Sequence, residues 1–321
     1  MQVAEDIFQV QLPLPFPLKI VNCYVLRDGD GWAVIDTGIH YPPGEAAWRA
    51  AFTLIGIDPS AITRIILTHA HPDHFGMAGW LAQQCGAPVL LAPEEQAFAE
   101  RVWRHGPANE QQIDIFFRAH GLPGQLAEQV RATMAENRAM TQPWPATTVL
   151  APGAILTIGR RQFRAMATPG HSDQHLVFYC AAERLLLCGD AVLTKITPNV
   201  SRWPDGRANP LADFLDSLAA LSRLDVALAL PGHGPLITAF AQRLAELRAH
   251  HHERLAVIAQ ATGAGTSAFE VCTAVFPTSM LSAHQLRFAI AETLAHLEYL
   301  VALGQIERIE RPRLIYRRVT I

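Results

Sequence analysis

Three imidazoles and a carboxylate fall within the run His69-Ala70-His71-Pro72-Asp73-His74. Imidazole and carboxylate are donor types that suit zinc and, less selectively, iron or manganese. On extended backbone alternate side chains face the same way, so His69 and His71 are placed to grip one ion together. Asp73 and His74, at the turn into a helix, then point toward a second ion. A chance cluster of structural histidines is the competing explanation, disfavoured because buried histidines usually occur singly. Three later segments set a polar side chain beside glycine: Thr168-Pro169-Gly170-His171-Ser172, Cys188-Gly189-Asp190 and Pro231-Gly232-His233-Gly234. Taken singly, each is ordinary turn chemistry. No Gly-x-Ser-x-Gly segment offers a serine nucleophile.

Such residues need strands that end where the ligands begin. Ile20 to Leu26 and Trp32 to Ile35 read as strands joined by the turn residues Asp28-Gly29-Asp30-Gly31. A helix is expected over Gly44 to Ile55, followed by a β-branched run from Arg64 to Thr68 that leads straight into the histidine cluster. Met77, Leu81 and Cys85 recur at helical spacing with Gly86 as a stop, which sets His74 at a helix start. Pro88 to Leu91 is the next expected strand. Residues 93–147 turn helical, with Ile113, Phe116, Phe117 and His120 in register and Gly121 as terminator, and read as an insertion. Strands return over Thr148 to Ile158, Arg161 to Ala167, Leu176 to Cys180 and Arg184 to Cys188.

Beyond His233 a long amphipathic helix is expected, carrying Phe240, Leu244, Leu247, His251, Leu255 and Ile258 on one face. Two capping-box patterns, Ser267 with Glu270 and Ser282 with Gln285, open further helices, the second running to Gly304. Strands Gln305 to Ile309 and Leu314 to Thr320 around Pro312 complete a helix, helix, helix, hairpin order of the winged-helix kind.

In this order, the histidine cluster and the three glycine-flanked segments resemble the metal-binding motifs of the metallo-β-lactamase superfamily, across about residues 15 to 240. The resemblance implies an α+β fold, the αββα sandwich, in a domain of residues 1–245 that carries the 93–147 insertion, with residues 246–321 as a winged-helix-like domain. It implies that His69, His71 and His171 bind one metal, that Asp73, His74 and His233 bind a second, and that Asp190 bridges them. Two divalent ions follow, zinc first, with iron or manganese as alternatives. A metal-bridging hydroxide would be the nucleophile, because zinc lowers the pKa of bound water to ~7. Asp73 and Asp190 would be the catalytic carboxylates, Asp73 orienting the hydroxide. Asp36 matches the family's supporting aspartate.

Histidine rather than glutamate at position 71 resembles the hydrolytic branch and not the diiron oxygen-reducing one. Asn22-Cys23-Tyr24-Val25, Ile35-Asp36-Thr37-Gly38, Asn209-Pro210-Leu211 and His296-Leu297-Glu298 resemble the lactamase-beta-2-like branch. The His-x-His-x-Asp-His pattern is shared with glyoxalase II. What this implies is hydrolysis of a thioester or related ester. A metal-dependent endoribonuclease or phosphodiesterase is the alternative, ahead of iron-dependent thiol or sulfur oxidation and of a DNA-binding regulator.

The bulk properties set the remaining expectations. The 321 residues carry a formal net charge of −3 and are 17% charged, which excludes a chain dominated by an electrostatic grip on nucleic acid or anionic membrane. The helix expected from Ser282 to Leu303 carries Glu292 and Glu298 against Arg287, a poor surface for a phosphate-lined groove. Five cysteines without close pairs, and an N-terminus lacking a secretory pattern, point to a reducing, cytoplasmic setting. Arg308, Arg311, Arg313, Arg317 and Arg318 gather in the hairpin, read as a solvated edge in preference to a grip on an anionic tail. His250-His251-His252 reads as helix surface and Lys195 as a surface charge or an anion contact. The aromatic insertion, with Phe98, Trp103, Phe116, Phe117 and Trp144, is either a cap that greets an acyl chain or a homodimer interface.

Overall fold

From Val21 to Leu26 every side chain is buried, and alternate residues serve two different cores. Cys23 and Val25 face a helix-covered core, while Tyr24 and Leu26 face a second sheet. A strand covered on both faces reads as a continuous apolar run, because neither set of its period-two side chains meets water. The structure is a computed structural model that describes residues 1–310 and 314–319.

One sheet holds β1 (Gln2–Ala4), β2 (Ile7–Pro13), β3 (Ile20–Asp28), β4 (Gly31–Ile35), β5 (Ile62–Ile66), β6 (Val89–Leu91) and β7 (Thr147–Val149) in that spatial order. The other is built from β8 (Ile155–Ile158), β9 (Arg161–Ala167), β10 (Leu176–Cys180), β11 (Leu185–Gly189) and β12 (Leu228–Pro231), in the order β12-β11-β10-β9-β8. Ile35 and Ile66 from the first sheet meet Phe163, Phe178 and Leu187 from the second, which forms the inner core of the sandwich. The outer faces are covered by α1 (Pro42–Ile55), α2 (Pro72–Phe75), α3 (Ala78–Cys85), α4 (Pro93–Ala99), α5 (Gly106–Ala119), α6 (Gly124–Ala139), α7 (Pro210–Leu221) and α8 (Phe240–Ala261). This is the α+β arrangement of helices outside two packed sheets.

The run expected as one strand from Thr148 to Ile158 is two strands in different sheets, β7 and β8. Ala151-Pro152-Gly153 separates them, and Gly153 at φ 87° turns the chain across the sandwich. Strands β1 and β2 precede the region covered by the motif resemblance.

Past the sandwich, α8 buries Phe240, Leu244, Leu247, His251, Leu255 and Ile258. The position 245/246 lies inside this continuous helix. Helix α9 (Ala268–Val275) and helix α10 (Ala283–Ala302) both begin with the expected capping boxes, Ser267 with Glu270 and Ser282 with Gln285. The antiparallel hairpin of β13 (Ile306–Ile309) and β14 (Ile315–Arg318) follows. The expected Pro312 turn, Arg311, Arg313 and Thr320 lie outside the described residues. Helix α10 packs against α6, α7, α8 and α9, so Leu286, Ile290 and Leu294 share one core with the helix side of the sandwich. Among the described residues no helix is long and apolar enough to cross a membrane.

Candidate metal centre

Parallel strands β4 and β5 end side by side, and the two loops that leave them are tied together by Asp36. Its carboxylate accepts from the Thr68 backbone N–H at 2.8 Å, the Thr68 hydroxyl at 2.9 Å and His74 Nδ1 at 2.8 Å. Asp36 takes φ 59°, a conformation that aspartate tolerates better than most residues. The hydroxyl of Thr68 spends its one proton on Asp36, so it accepts from His69 Nδ1 at 2.9 Å.

The same logic orients the other rings. His171 Nδ1 donates to the Asn199 carbonyl at 2.8 Å, and His233 Nδ1 donates to the Ile20 carbonyl at 2.8 Å. With the outer nitrogens protonated, Nε2 of His69 and His171 turns a lone pair inward, while Nε2 of His74 and His233 faces the carboxylates of Asp73 and Asp190. His71 Nδ1 then faces two acceptors, His69 Nε2 at 3.0 Å and His171 Nε2 at 2.9 Å, with at most one proton to give.

Asp190 stands among these nitrogens. Its Oδ2 is 3.6 Å from His171 Nε2 and 3.4 Å from His233 Nε2, and His233 Nε2 is also 3.2 Å from Asp73 Oδ2. His74 Nε2 and Asp190 Oδ1 lie 3.4 Å apart, too poorly aligned to bond, and neither atom has another partner although both are buried. Buried polar atoms left unpaired in this way call for an explanation. Donors held about 2.0 Å from one tetrahedral ion stand roughly 3.3 Å apart, so the spacings fit a cation. Three groups have the closeness to hold an ion: His69, His71 and His171; His69, His74 and Asp190; Asp73, His74 and His233. All seven residues singled out in the sequence therefore come together.

Electrostatics divide the cluster. Burial pushes His69, His71 and His171 below the usual imidazole range, so they stand as neutral donors. For His74 and His233 burial pulls the same way, but Asp190 and its fellow carboxylates outweigh it and hold His233 up to about 10. Burial disfavours the charged forms of Asp73 and Asp190, yet the facing His74 and His233 keep both well below the carboxylate range. The second half of the cluster thus sets ionised carboxylates against its imidazoles, and a cation placed there would take over the positive charge that His74 and His233 now supply.

His71 and His171 also form part of the wall of a cavity of about 350 Å³. Phe98, Trp103 and Ile113 from the helical insertion line it, together with Phe16, Trp203 and Phe288. Phe116 and Phe117 do not. Phe117 is fully buried and packs 5.6 Å from Trp203, and Phe116 meets His120 edge-on. Trp144 lines a separate depression and Lys195 is exposed outside the cavity. His251 is buried against His296 and Phe214, in keeping with its place on the apolar face of α8, while the helix-surface reading of the triplet holds for the exposed His252.

Residues 17–233 match the Metallo-beta-lactamase superfamily, and residues 255–320 match the Metallo-beta-lactamase-like C-terminal domain. The chain belongs to the metallo-beta-lactamase superfamily. A solved metallo-beta-lactamase family protein of Thermus thermophilus is 36% identical, with a TM-score of 0.88 over 99% of this chain and 100% of that one. A probable metallo-hydrolase of Bacillus subtilis is 26% identical over 93% of each chain. An atrochrysone carboxyl ACP thioesterase of Aspergillus fumigatus is 24% identical over 82% of this chain and 70% of its own length.

This member of the superfamily also uses supporting residues whose role sequence reasoning missed. His175 Nε2 accepts from the Asp190 backbone N–H at 3.0 Å, and the Glu95 carboxylate accepts from the N–H groups of Ala70 and Gln174, both at 2.8 Å. Trp103 donates to the Ala70 carbonyl at 2.9 Å, while Asn22 and Tyr24 hold the Pro231 carbonyl in front of His233. The available signals were the Asn22-Cys23-Tyr24-Val25 motif, read above only for its resemblance, and His175 four positions after His171. Glu95 looks like any acidic residue in the first turn of a helix. Because Asp36 orients His74, Asp36→Asn is expected to weaken metal binding about 10- to 100-fold while the chain stays folded. Competition with a chromogenic chelator measures this, and unchanged affinity would remove Asp36 from its supporting role.

Proposed function

We propose that this metal-dependent hydrolase cleaves a thioester or related ester whose acyl part is apolar. The observation that carries the reading is the aromatic and aliphatic cavity opening directly on His71 and His171. In this reading His69, His71 and His171 hold one divalent ion, Asp73, His74 and His233 hold the other, and Asp190 lies between them. Zinc is the metal we expect, on the histidine and carboxylate donor set. When bound, such ions lower the pKa of water to about 7 and polarise the scissile carbonyl.

The chain's own residues supply the rest. Hydrogen bonds to Thr68, Asp36, Asn199 and Ile20 hold four imidazoles with Nε2 inward, so little reorganisation is needed as metal binds. Phe98, Trp103 and Ile113 exclude water from the acyl part and strengthen the local electrostatics. The thioesterase name of one relative supports the substrate class. In this reading residues 246–321, winged-helix-like in element order, complete the substrate cavity through α10 and do not read DNA. The pairing of Arg308 with Glu298 and of Arg317 with Glu307 accords with a solvated hairpin edge. A cytoplasmic setting remains part of the proposal, supported by the five unpaired cysteines.

A panel of acyl thioesters of graded chain length, lactones and single-stranded RNA tests the reading on metal-loaded protein. Thioesters are expected to give the highest kcat/KM, rising with acyl length because each buried methylene contributes ~0.8 kcal/mol. RNA cleavage at a higher rate than any thioester would overturn it in favour of a phosphodiesterase.

A further inference from the structure

Helix α10, expected from its Glu292 and Glu298 to be a poor reader of nucleic acid, carries Arg287 inward. Arg287 is 6% exposed, and it lines the cavity that opens on His71 and His171. A guanidinium is almost never buried without a carboxylate or a set of carbonyl acceptors. This one has neither among the described residues. Its Nη1 points at the Met134 thioether, 3.4 Å away, its Cζ lies 4.0 Å over the Phe288 ring, and its Nε is buried with no partner. A thioether is a weak acceptor and an aromatic face satisfies no N–H in the guanidinium plane.

The neighbouring charges do not supply the missing partner. His284, one turn earlier on the same helix, stacks on Phe16 and is pushed down to about 4 by burial and by Arg287, so it is neutral. Asp213 and Glu94 are taken by Arg207, and Asp173 and Asp205 stand against Arg101. Asp73 is the carboxylate whose charge reaches Arg287, but it faces His233 in the metal cluster. Burial lowers Arg287 to about 10, which still leaves it cationic at neutral pH. Asn109, 5% exposed on the same wall, has an unpaired Oδ1 as well.

We propose that Arg287 recognises the substrate, accepting a carboxylate borne by its apolar acyl portion into the cavity beside the metal centre. The planar fork of the guanidinium matches a carboxylate bidentately, and an apolar wall around it makes each charge-assisted bond stronger than at a surface. The substrate class is thereby narrowed from any apolar acyl (thio)ester to one with an acid group on the acyl side. This rests on the function proposed above.

Three thioesters test it on metal-loaded protein: octanoyl on 2-mercaptoethanol, its ω-carboxy analogue on the same thiol, and octanoyl on 2-mercaptoethanesulfonate. The ω-carboxy compound is expected to exceed the first in kcat/KM by about 10- to 100-fold. In Arg287→Met that ratio falls to near one, and in Arg287→Lys it recovers in part. Equal rates for the first two in the unaltered protein would overturn the proposal without any variant. A preference for the sulfonate thiol would overturn it too, because the anion would then sit on the leaving side.

Calorimetric binding of 2-naphthalenesulfonate against 2-naphthalenemethanol gives a reading independent of turnover. The sulfonate is expected to bind at least tenfold tighter, and Arg287→Met is expected to erase the difference. If no thioester is cleaved but this preference and its loss hold, the hydrolytic reading fails and the anion site stands. If thioesters are cleaved with no preference for charge, Arg287 is a structural residue only and the hydrolytic reading stands.

Discussion

Replacing Asp190 with alanine is expected to reduce kcat/KM by about a thousandfold or more and to leave the purified protein short of its full metal complement. Asp190 lies within 3.6 Å of ring nitrogens from both halves of the cluster, His171 on one side and His74 and His233 on the other. Its loss removes a donor from each half and the negative charge that holds His74 and His233 in place. Several kcal/mol of transition-state stabilisation go with a mispositioned metal, at roughly 1.4 kcal/mol per factor of ten. The fold should persist, because the loop is held by the Asp190 backbone N–H donating to His175, which the substitution leaves intact. Elemental analysis and circular dichroism check both halves of the expectation. Full metal occupancy in the folded variant would contradict the assignment of Asp190 between the two ions.

Gly232→Ala should be nearly as damaging through space alone. A Cβ on Gly232 would lie 2.3 Å from Asp190 Oδ1 and 2.7 Å from His74 Cε1, distances that real side chains do not show. Both neighbours are pinned, His74 by Asp36 at 2.8 Å and Asp190 by its buried setting, so neither can yield without leaving its position. The expected result is loss of bound metal and at least a hundredfold loss of kcat/KM, the upper end of what displaced supporting groups cost. Gly29→Ala is the control. Gly29 has φ 62° and open space around it, so alanine there should lower stability by ~1 kcal/mol and leave metal content unchanged. Comparable metal loss in both variants would mean that general destabilisation, and not the close approach at Gly232, is responsible.

Much of the candidate site was legible because its donors sit in short, unusual segments. His69, His71, Asp73 and His74 are local in sequence, and their chemistry is visible before any fold is known. His171, Asp190 and His233 carried meaning only as an ordered set beside glycines. The capping boxes at Ser267 and Ser282 and the buried face of α8 were equally readable, since a helix end and a helical stripe are defined by residues a few positions apart. Pro152-Gly153 marks a turn between β7 and β8, but that the two strands belong to different sheets was not readable, because only their partners, β6 and β9, decide it.

The amino-acid sequence by itself determined which residues can bind metal, where most strands and helices run, and the family to which the chain belongs. Apart from Asp36, whose supporting place the motif resemblance already implied, tertiary structure alone decided which side chains serve the site without touching a metal. Glu95 supports the ligand loop from a helix that follows it in the chain, and Asn22 and Tyr24 reach across more than 200 residues to the His233 loop. It also decided that Ile113 lines the cavity while Phe116 and Phe117, three and four positions on, do not. Most of all it set Arg287, an unremarkable cation in the sequence, in the wall of the cavity that opens on the metal cluster, with no carboxylate or carbonyl partner among the described residues. The physical reason is the same in each case: type and spacing report what a residue can do, but burial and the partners brought by distant segments decide what it must do.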